Sequence, residues 1–439
     1  MTGPVVLVGG GGREHAIAAA IRGAMDADDR KANDVELYAC AENRNPGIVR
    51  VCDDFTALET TDPEAVVAYA EDVDAAIVII GPESPLEAGV VDALEAADIY
   101  AFGPTADLAR IETDKAFQRD FMKEHDIPGC PAFEVFSDPD EACAYIDETS
   151  HDLAVKPVGL TGGKGVKVIG DQVTPDEAKK YIRDSDHDEF VLEERLIGEE
   201  FTVQAFVAND ELRVTPAVQD HKRIDEGDQG PNTGGMGSYS APSLELPFMD
   251  EDDYYEAVNI LQKTVDALGE YRGILYGQFM LTADGVKVIE YNSRFGDPEA
   301  MNTLSIMNTP LLEILEAAES GDSLPQLSFK PQATVCKYAV PQGYPSDPEA
   351  GVSLDIADVE LDDAILYYAS VDEDEDGIVS TTSRSFAVVG IADTITAAEK
   401  RAAQALDQIG VDDLHVRTDI GTPDLIDQRI DHMESLRNK

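Results

Sequence analysis

The chain has 439 residues, enough for two to four domains with substantial cores, and 43% of them are hydrophobic, which excludes a disordered acidic chain. Its 33 Lys+Arg face 88 Asp+Glu, a formal net charge of −55, and that balance excludes nucleic acid and anionic membrane as partners, since both need basic patches. The acids are scattered (Asp26, Asp28, Asp29; residues 250–253 and 372–376) rather than gathered in a tail. Such a surface predicts a halophilic protein, stable in molar salt, where the Debye length falls to about 3 Å.

The apolar run from Val5 is short and enters a glycine loop, as a first strand does and a signal peptide does not. The run Ala75 to Ile80 is far too short to span a bilayer. Five widely spaced cysteines (Cys40, Cys52, Cys130, Cys143, Cys336) show no zinc-like spacing, which predicts a reduced, cytoplasmic setting. Residues 1–105 alternate strand and helix, the pattern of an open parallel sheet. Strands are predicted at Val5–Val8, Val35–Cys40 and Ala75–Ile80, with a helix from Arg13 to Met25. A second helix is predicted from a capping box at Ser84, with Pro85 at its first position, to Ala97. Ligands of such sheets bind beyond the carboxyl ends of the strands, here Gly9 to Arg13, Glu42 to Asn45 and Glu83.

The pattern changes at 106. A helix over Thr113–His125 leads into two β-like runs, Ala154–Val158 and Val166–Ile169, flanking a glycine loop. A helix at Pro175–Ile182 and a strand Phe190–Leu192 follow, then strands Phe201–Ala208 and Leu212–Val218 and a long loop, 219–243. Helix Tyr254–Leu268, strands Leu275–Leu281 and Val286–Tyr291, and helix Leu311–Ala318 complete a region ending near 330. A last domain, 331–439, has strands Thr334–Val340, Ile365–Ala369 and Ser385–Ile391, an acidic hairpin turn at 372–376, and a helix Thr396–Ile409 ending at Gly410.

Three constellations carry chemistry. The hairpin AVKPVGLTGGKGVKVI bears Lys156, Gly159, Gly162, Gly163, Lys164 and Gly165. Glycines let backbone N–H groups approach an anion, and lysine adds a point charge suited to phosphate, so this is a flexible lid over a polyphosphate. Being strand–loop–strand, it is neither a Walker A loop nor a dinucleotide fingerprint. On the strand KVIEYNSR, Glu290, Asn292 and Arg294 share one face. A carboxylate and an amide oxygen suit Mg²⁺, Gln278 on the preceding strand offers a third oxygen, and Arg294 can grip an anion in a fork. In the loop after 219, Lys222 and Arg223 precede GPNTGGMG, a clamp for an anionic substrate or acyl phosphate. The opening GGGGREH could seat a small phosphate on a helix N-terminus with help from Arg13, whereas Glu14 spoils it as a dinucleotide site.

The segments GGGGREHA, GPESPLEAGVVDAL, FGPTADLARIETDKAF, QDHKRIDEGDQGPNTGGMGSYS and VIEYNSRFGDPE, in order and spacing, resemble the motifs of the phosphoribosylamine–glycine ligases, ATP-grasp enzymes of purine synthesis. The resemblance runs from about residue 5 to 421 and includes Ser383-Arg384-Ser385 and Arg417 to Gly421. The lid departs from the family pattern in lacking an alanine-rich loop, and Ser293 stands where a cysteine is common.

The resemblance implies an α/β and α+β multidomain fold. It comprises a Rossmann-like N-terminal domain (1–105), an ATP-grasp domain (106–330) with a lid subdomain (127–195), and a small mixed C-terminal domain (331–439). It implies that ATP, glycine and 5-phosphoribosylamine give glycinamide ribonucleotide, ADP and phosphate through glycyl phosphate, in a monomer or weak homo-oligomer. It further implies Mg²⁺ or Mn²⁺ on Glu290 and Asn292 with Gln278. Lys115, Lys156 and the 159–165 loop would hold the triphosphate, and Glu193, Glu194 and Leu196 the adenosine. Arg294 and Lys222 would steady glycine or its acyl phosphate, with Asp220 and Asp297 on the ammonium. Gly11, Gly12, Arg13 and Glu83 would face the ribosylamine, and Arg223, Gly234, Gly235 and Met236 would complete the substrate clamp.

Overall fold

The structure, a computed structural model, describes residues 3–23, 33–159, 165–354, 356, 361, 364–374, 377–411 and 413–438. Gly162, Gly163 and Lys164 of the expected lid, Met25 at the expected helix end, and Asp26, Asp28, Asp29, Glu375 and Asp376 lie outside the described residues.

The first region is a parallel sheet of β1 (Val5–Val8), β2 (Leu37–Ala41), β3 (Asp54–Ala57), β4 (Ile77–Ile80) and β5 (Tyr100–Phe102), in the order β3-β2-β1-β4-β5. The central strands VVLV and IVII are buried at every position, as strands covered by helices on both faces must be. The covering helices are α1 (Gly12–Arg22), α2 (Pro46–Val51), α3 (Pro63–Asp72), α4 (Glu83–Glu87) and α5 (Val90–Ala96). The single helix expected from Ser84 to Ala97 is therefore two. Gly89 takes a left-handed conformation (φ 80°) between them, and the first begins two residues early, capped at Pro82, so Ser84 is inside the helix and caps nothing.

The next expected helix also divides, into α6 (Ala106–Thr113) and α7 (Lys115–Glu124), because Asp114 leaves helical geometry and caps α7 by accepting from the Phe117 N–H at 2.9 Å. That break makes Lys115 the first residue of α7. The lid follows as β6 (Phe133–Phe136), α8 (Pro139–Glu148), β7 (Leu153–Pro157), β8 (Lys167–Val168), α9 (Pro175–Asp184) and β9 (Phe190–Glu194). Its antiparallel sheet, order β6-β9-β7-β8, has its own core of Cys143, Ile146, Val155, Ile182, Phe190 and Leu192.

The expected strand Leu212–Val218 ends at Val214, before Pro216, and the expected bare loop 219–243 holds most of four strands. In this stretch β10 (Gly198–Ala208) and β11 (Glu211–Val214) lead to β12 (Val218–Asp220), β13 (Arg223–Asp225), β14 (Gln229–Asn232) and β15 (Gly237–Ser240). These strands are too short and polar to show a hydrophobic period; what forms them is pairing, β12 with β15 in the main sheet and β13 with β14 as a hairpin. Then come α10 (Glu251–Leu268), β16 (Gly273–Thr282), β17 (Gly285–Asn292), α11 (Glu299–Ile306) and α12 (Leu311–Ser320).

The last stretch contains β18 (Ala333–Pro341), β19 (Ser353–Leu354), β20 (Ala364–Tyr368), β21 (Val371–Asp374), β22 (Gly377–Ser380) and β23 (Phe386–Ala392). It ends with α13 (Ile395–Ile409), β24 (Leu414–Val416) and α14 (Pro423–Arg437). Because β18 pairs with β15, one sheet in the order β17-β16-β10-β12-β15-β18-β23-β20 runs across residue 331. The sequence reading placed no helix at α11 or α14; α11 is buried along its whole length and so has no amphipathic stripe to betray it.

Candidate functional site

A cleft separates the lid from the large sheet, and it is lined from above by Lys156, Val166 and Val168 and from below by Lys222, Ile289 and Glu290. The lid hairpin and the acid–amide strand therefore share one cavity. At the lower wall β16 and β17 pair so that Gln278 faces Glu290 and Tyr276 faces Asn292, with a bulge at Ile289 between the Gln278–Glu290 and Phe279–Val288 pairs. Lys222, just past β12, donates to Gln278 Oε1 at 2.6 Å and stands 3.8 Å from Glu290. Burial raises the Glu290 pKa, but Lys222, Lys156 and Lys115 outweigh it and hold the carboxyl down to about 2. Glu290 is thus an anion amid three lysines. Asn292 Oδ1 accepts from Arg294 at 3.2 Å. One carboxylate with two amide oxygens fits a small hard cation that takes its other ligands from phosphate; the described residues hold no cluster of three His, Cys, Asp or Glu that would suit a different metal.

Above this floor, Lys156 donates to the Ile289 carbonyl at 3.0 Å and pairs with Glu193. Arg119 on α7 closes the other side of Glu193 at 2.6 Å. The Glu193 carboxylate, in the cleft wall with Glu194 and Leu196, is thus held between two cations. Glu194 accepts from the Ala132 N–H at 2.9 Å. Lys115 reaches across to the Gly159 carbonyl at 2.6 Å, so the start of α7 already touches the base of the lid loop. Gly159 takes φ 97°, a left-handed conformation that favours glycine, with open space around it.

Deeper, Arg294 is held by Glu112 at 2.9 Å and Glu83 at 3.3 Å, and Glu83 is also 3.9 Å from Arg13. Burial raises the Glu83 pKa, but Arg294 and Arg13 override it and bring the value down to about 2. Arg13 itself pairs with Glu14 at 2.6 Å and donates to the Phe295 carbonyl at 3.0 Å, joining the opening loop to the strand end after β17. Glu14 accepts from the Gly11 N–H at 2.7 Å, so its carboxylate occupies the donor that a phosphate would need. Gly12 is packed among Tyr338, Ala369 and Met301.

On the far side, Asp297 accepts from Tyr338 at 2.7 Å and pairs with Arg384 at 3.0 Å. Arg384 also donates to the carbonyls of Gly234 at 2.7 Å and Gly235 at 3.1 Å, and stacks 4.3 Å over the Tyr338 ring. Met236 is buried in the core, its side chain outside the cleft. Arg223 pairs with Asp171 of the lid at 2.6 Å. Asp220 lies in the cleft wall with Oδ1 unpartnered, and burial, with Glu299 and Glu200, lifts its pKa well above the usual range despite Lys222. Glu112 and Arg119 were not singled out by sequence reasoning, and Arg384 entered it only within the Ser383-Arg384-Ser385 stretch; they act across 74 to 181 residues of chain, and no local pattern marks such pairs.

Comparison with known proteins bears on this arrangement. Family models described as phosphoribosylglycinamide synthetase N domain, ATP-grasp (A) domain and C domain match residues 4–112, 113–300 and 334–423. The chain is 50% identical over 442 residues to a phosphoribosylamine–glycine ligase of Methanococcoides burtonii, covering 99% of each chain. It is 52% identical over 443 residues to the Methanosarcina acetivorans protein of that name, covering 99% of this chain and 98% of the other. Among solved structures, a phosphoribosylamine–glycine ligase from Thermotoga maritima superposes with a TM-score of 0.77 at 24% identity, covering 95% of this chain and 100% of the other. The biotin carboxylase domain of the Hydrogenobacter thermophilus 2-oxoglutarate carboxylase, solved with MgADP and bicarbonate, superposes with a TM-score of 0.73 at 16% identity, covering 99% and 94%.

Proposed function

The chain belongs to the phosphoribosylamine–glycine ligase family, and on that premise we propose how its residues divide the work of the reaction. The protein is an ATP-dependent ligase that joins glycine to 5-phosphoribosylamine, giving glycinamide ribonucleotide, ADP and phosphate. A free carboxylate has no leaving group for an amine to displace, so glycine is first phosphorylated to glycyl phosphate. The ribosylamine nitrogen then attacks the acyl carbon, and phosphate leaves with the C–O bond electrons.

Such phosphoryl transfer needs positioning and charge neutralisation more than a covalent catalyst. Lys156, Lys115 and the lid loop, with Gly159, Gly162, Gly163, Lys164 and Gly165, hold the triphosphate against the floor. Glu194 and Leu196 border the adenosine, and Glu193 acts on the nucleotide by stationing Lys156. Glu290, Asn292 and Gln278 would hold Mg²⁺ or Mn²⁺, which neutralises phosphate charge. Lys222 guides the transferred phosphoryl group, and Arg294 orients the glycine carboxylate. Asp220, unpartnered in the wall, takes the glycine ammonium, while Asp297 acts through Arg384 on the glycine loop. Arg13 and Glu83 face the ribosylamine with Gly11, while Gly12, packed among Tyr338, Ala369 and Met301, shapes the loop without facing it. Arg223, Gly234, Gly235 and Met236 shape the clamp between them. The domains are bounded at about 105 and 330, with the lid subdomain over 127–195.

The observation that supports this reading is the meeting of Lys156, Lys222 and Glu290 at one cleft, with Lys115 near enough to act on the Glu290 charge. Phosphate release that requires both glycine and 5-phosphoribosylamine tests it. Release that depends on bicarbonate instead of glycine would assign the cleft to carboxyphosphate chemistry.

A further inference from the structure

The helix α14 begins at Pro423, where the match to the family's C domain ends. It nevertheless reaches the nucleotide cleft. Arg429, on this helix, lines the cleft and lies between two carboxylates on different elements. Its Nε is 3.4 Å from Glu199 at the start of β10, and its NH2 pairs with Asp228 in the turn of the β13–β14 hairpin. His432, one turn further on, meets Glu199 through Nδ1 at 2.6 Å. Gln219 on β12 donates to the same carboxylate at 3.3 Å.

From this bridge we infer that Arg429 is a positioning residue for the nucleotide: it holds the β13–β14 hairpin against β10 and so sets the outer wall of the cleft. The hairpin is placed mainly by side chains of the C-terminal segment. It is a two-stranded ribbon outside the main sheet, of the kind that is marginal alone. Its other ties come from the same end of the chain. Arg417 pairs with Asp228 at 2.8 Å and donates to the Arg223 carbonyl at 3.2 Å, and His415 meets the Ile224 carbonyl at 2.8 Å. The hairpin in turn receives the lid, since Arg223 pairs with Asp171 and Gln172 donates to Asn232 at 3.4 Å. The chain of contacts runs from α14 to the hairpin to the lid, and the nucleotide occupies the space between. An arginine is required because its planar fork reaches two acids at once, which a lysine point charge does less well.

The inference rests on the cleft being the ATP site, so the test measures that first. Titration of the wild-type protein with MgADP should give saturable binding; its absence would overturn the cleft reading and this inference with it. Against that baseline, Arg429→Ala should raise the Kd for MgADP and the KM for ATP about tenfold, with the KM for glycine moving less than about twofold. Arg429→Lys should recover part of the loss. Arg437→Ala cuts the exposed tie of α14 to Asp250 and Asp253 without touching the cleft, and should leave nucleotide binding unchanged. Equal effects from Arg437→Ala and Arg429→Ala, or an unchanged Kd in Arg429→Ala, would show that the helix only packs.

Discussion

Lys222 donates to Gln278 Oε1 at 2.6 Å and stands 3.8 Å from Glu290, so an ammonium group occupies the corner where a divalent cation would be held. A cation held there would compete with Lys222 for the same oxygens. Glu290→Ala should therefore lower kcat/KM by at least about 10³-fold, the scale of losing one charge-stabilising group at a reacting centre. The circular dichroism spectrum should be retained, because the side chain lies at a cleft and not in the core. Paramagnetic titration with Mn²⁺ in the presence of ADP should show the tight site lost. Turnover within tenfold of wild type would remove Glu290 from the metal assignment.

Arg13 joins two parts of the site, pairing with Glu14 at 2.6 Å and reaching the Phe295 carbonyl at 3.0 Å. Arg13→Ala leaves Glu14 buried without its partner, which costs about 3 kcal/mol of stability. Combining it with Glu14→Gln should restore the denaturation midpoint but not the KM for ribosylamine, raised by about tenfold or more in both variants. Recovery of KM alongside stability would mean that Arg13 only supports the loop.

Much of this site was legible from residue order, and what was not has a common cause. Glu290 and Asn292 stand on a strand where every second residue shares a face, Lys156 stands on a short β-like run buried throughout, and the lid glycines announce themselves by composition. The enclosure of Glu193 by Arg119, 74 residues earlier, and the engagement of Asp297 by Arg384, 87 residues later, depend on how units dock. The broken helices had local signals, Gly89 and Asp114, but a glycine or a capping residue inside a helical period is weaker evidence than the period itself. The short strands β12 to β15 exist through long-range pairing and carry no period at all.

His15 of the opening motif is a buried joint. Its Nδ1 accepts from the Tyr368 N–H at 3.0 Å, and burial, with Arg50 nearby, lowers its pKa to about 3. His221, buried with both ring nitrogens unpartnered, is likewise pushed to about 3 by burial. In the unfolded chain each titrates near its ordinary value of about 6.5. Below that pH the unfolded state binds protons that the folded state refuses, so stability falls as pH drops from 6.5 toward 3. Each group contributes up to about 1.4 kcal/mol per pH unit. Asp220, raised by burial, works in the opposite sense, so the informative quantity is a difference between proteins. Urea midpoints of wild type and His15→Asn should converge between pH 7 and pH 5, by one proton's worth of slope. Parallel curves would mean that His15 is protonated in the folded state.

The net charge of −55 makes salt the last variable. Even if all 33 basic residues found acidic partners, most of the 88 acids would have none, and the pairs that exist at the surface, such as Arg183 with Asp140 at 3.4 Å, are worth little. Unpaired repulsion between neighbouring acids acts over about 10 Å in 0.1 M salt and only about 3 Å in 1 M. Raising KCl from 0.1 to 2 M screens far more repulsion than attraction, so the thermal midpoint should rise by about 10 °C or more, beyond the 2–4 °C that 1 kcal/mol gives in large domains. The buried pairs at the site, Arg119–Glu193 and Arg294–Glu112, are shielded from bulk ions and should hold across that range. Turnover at saturating substrate should therefore persist in 2 M KCl, while a midpoint that fell with salt would show that attraction dominates this surface and would end the halophilic reading.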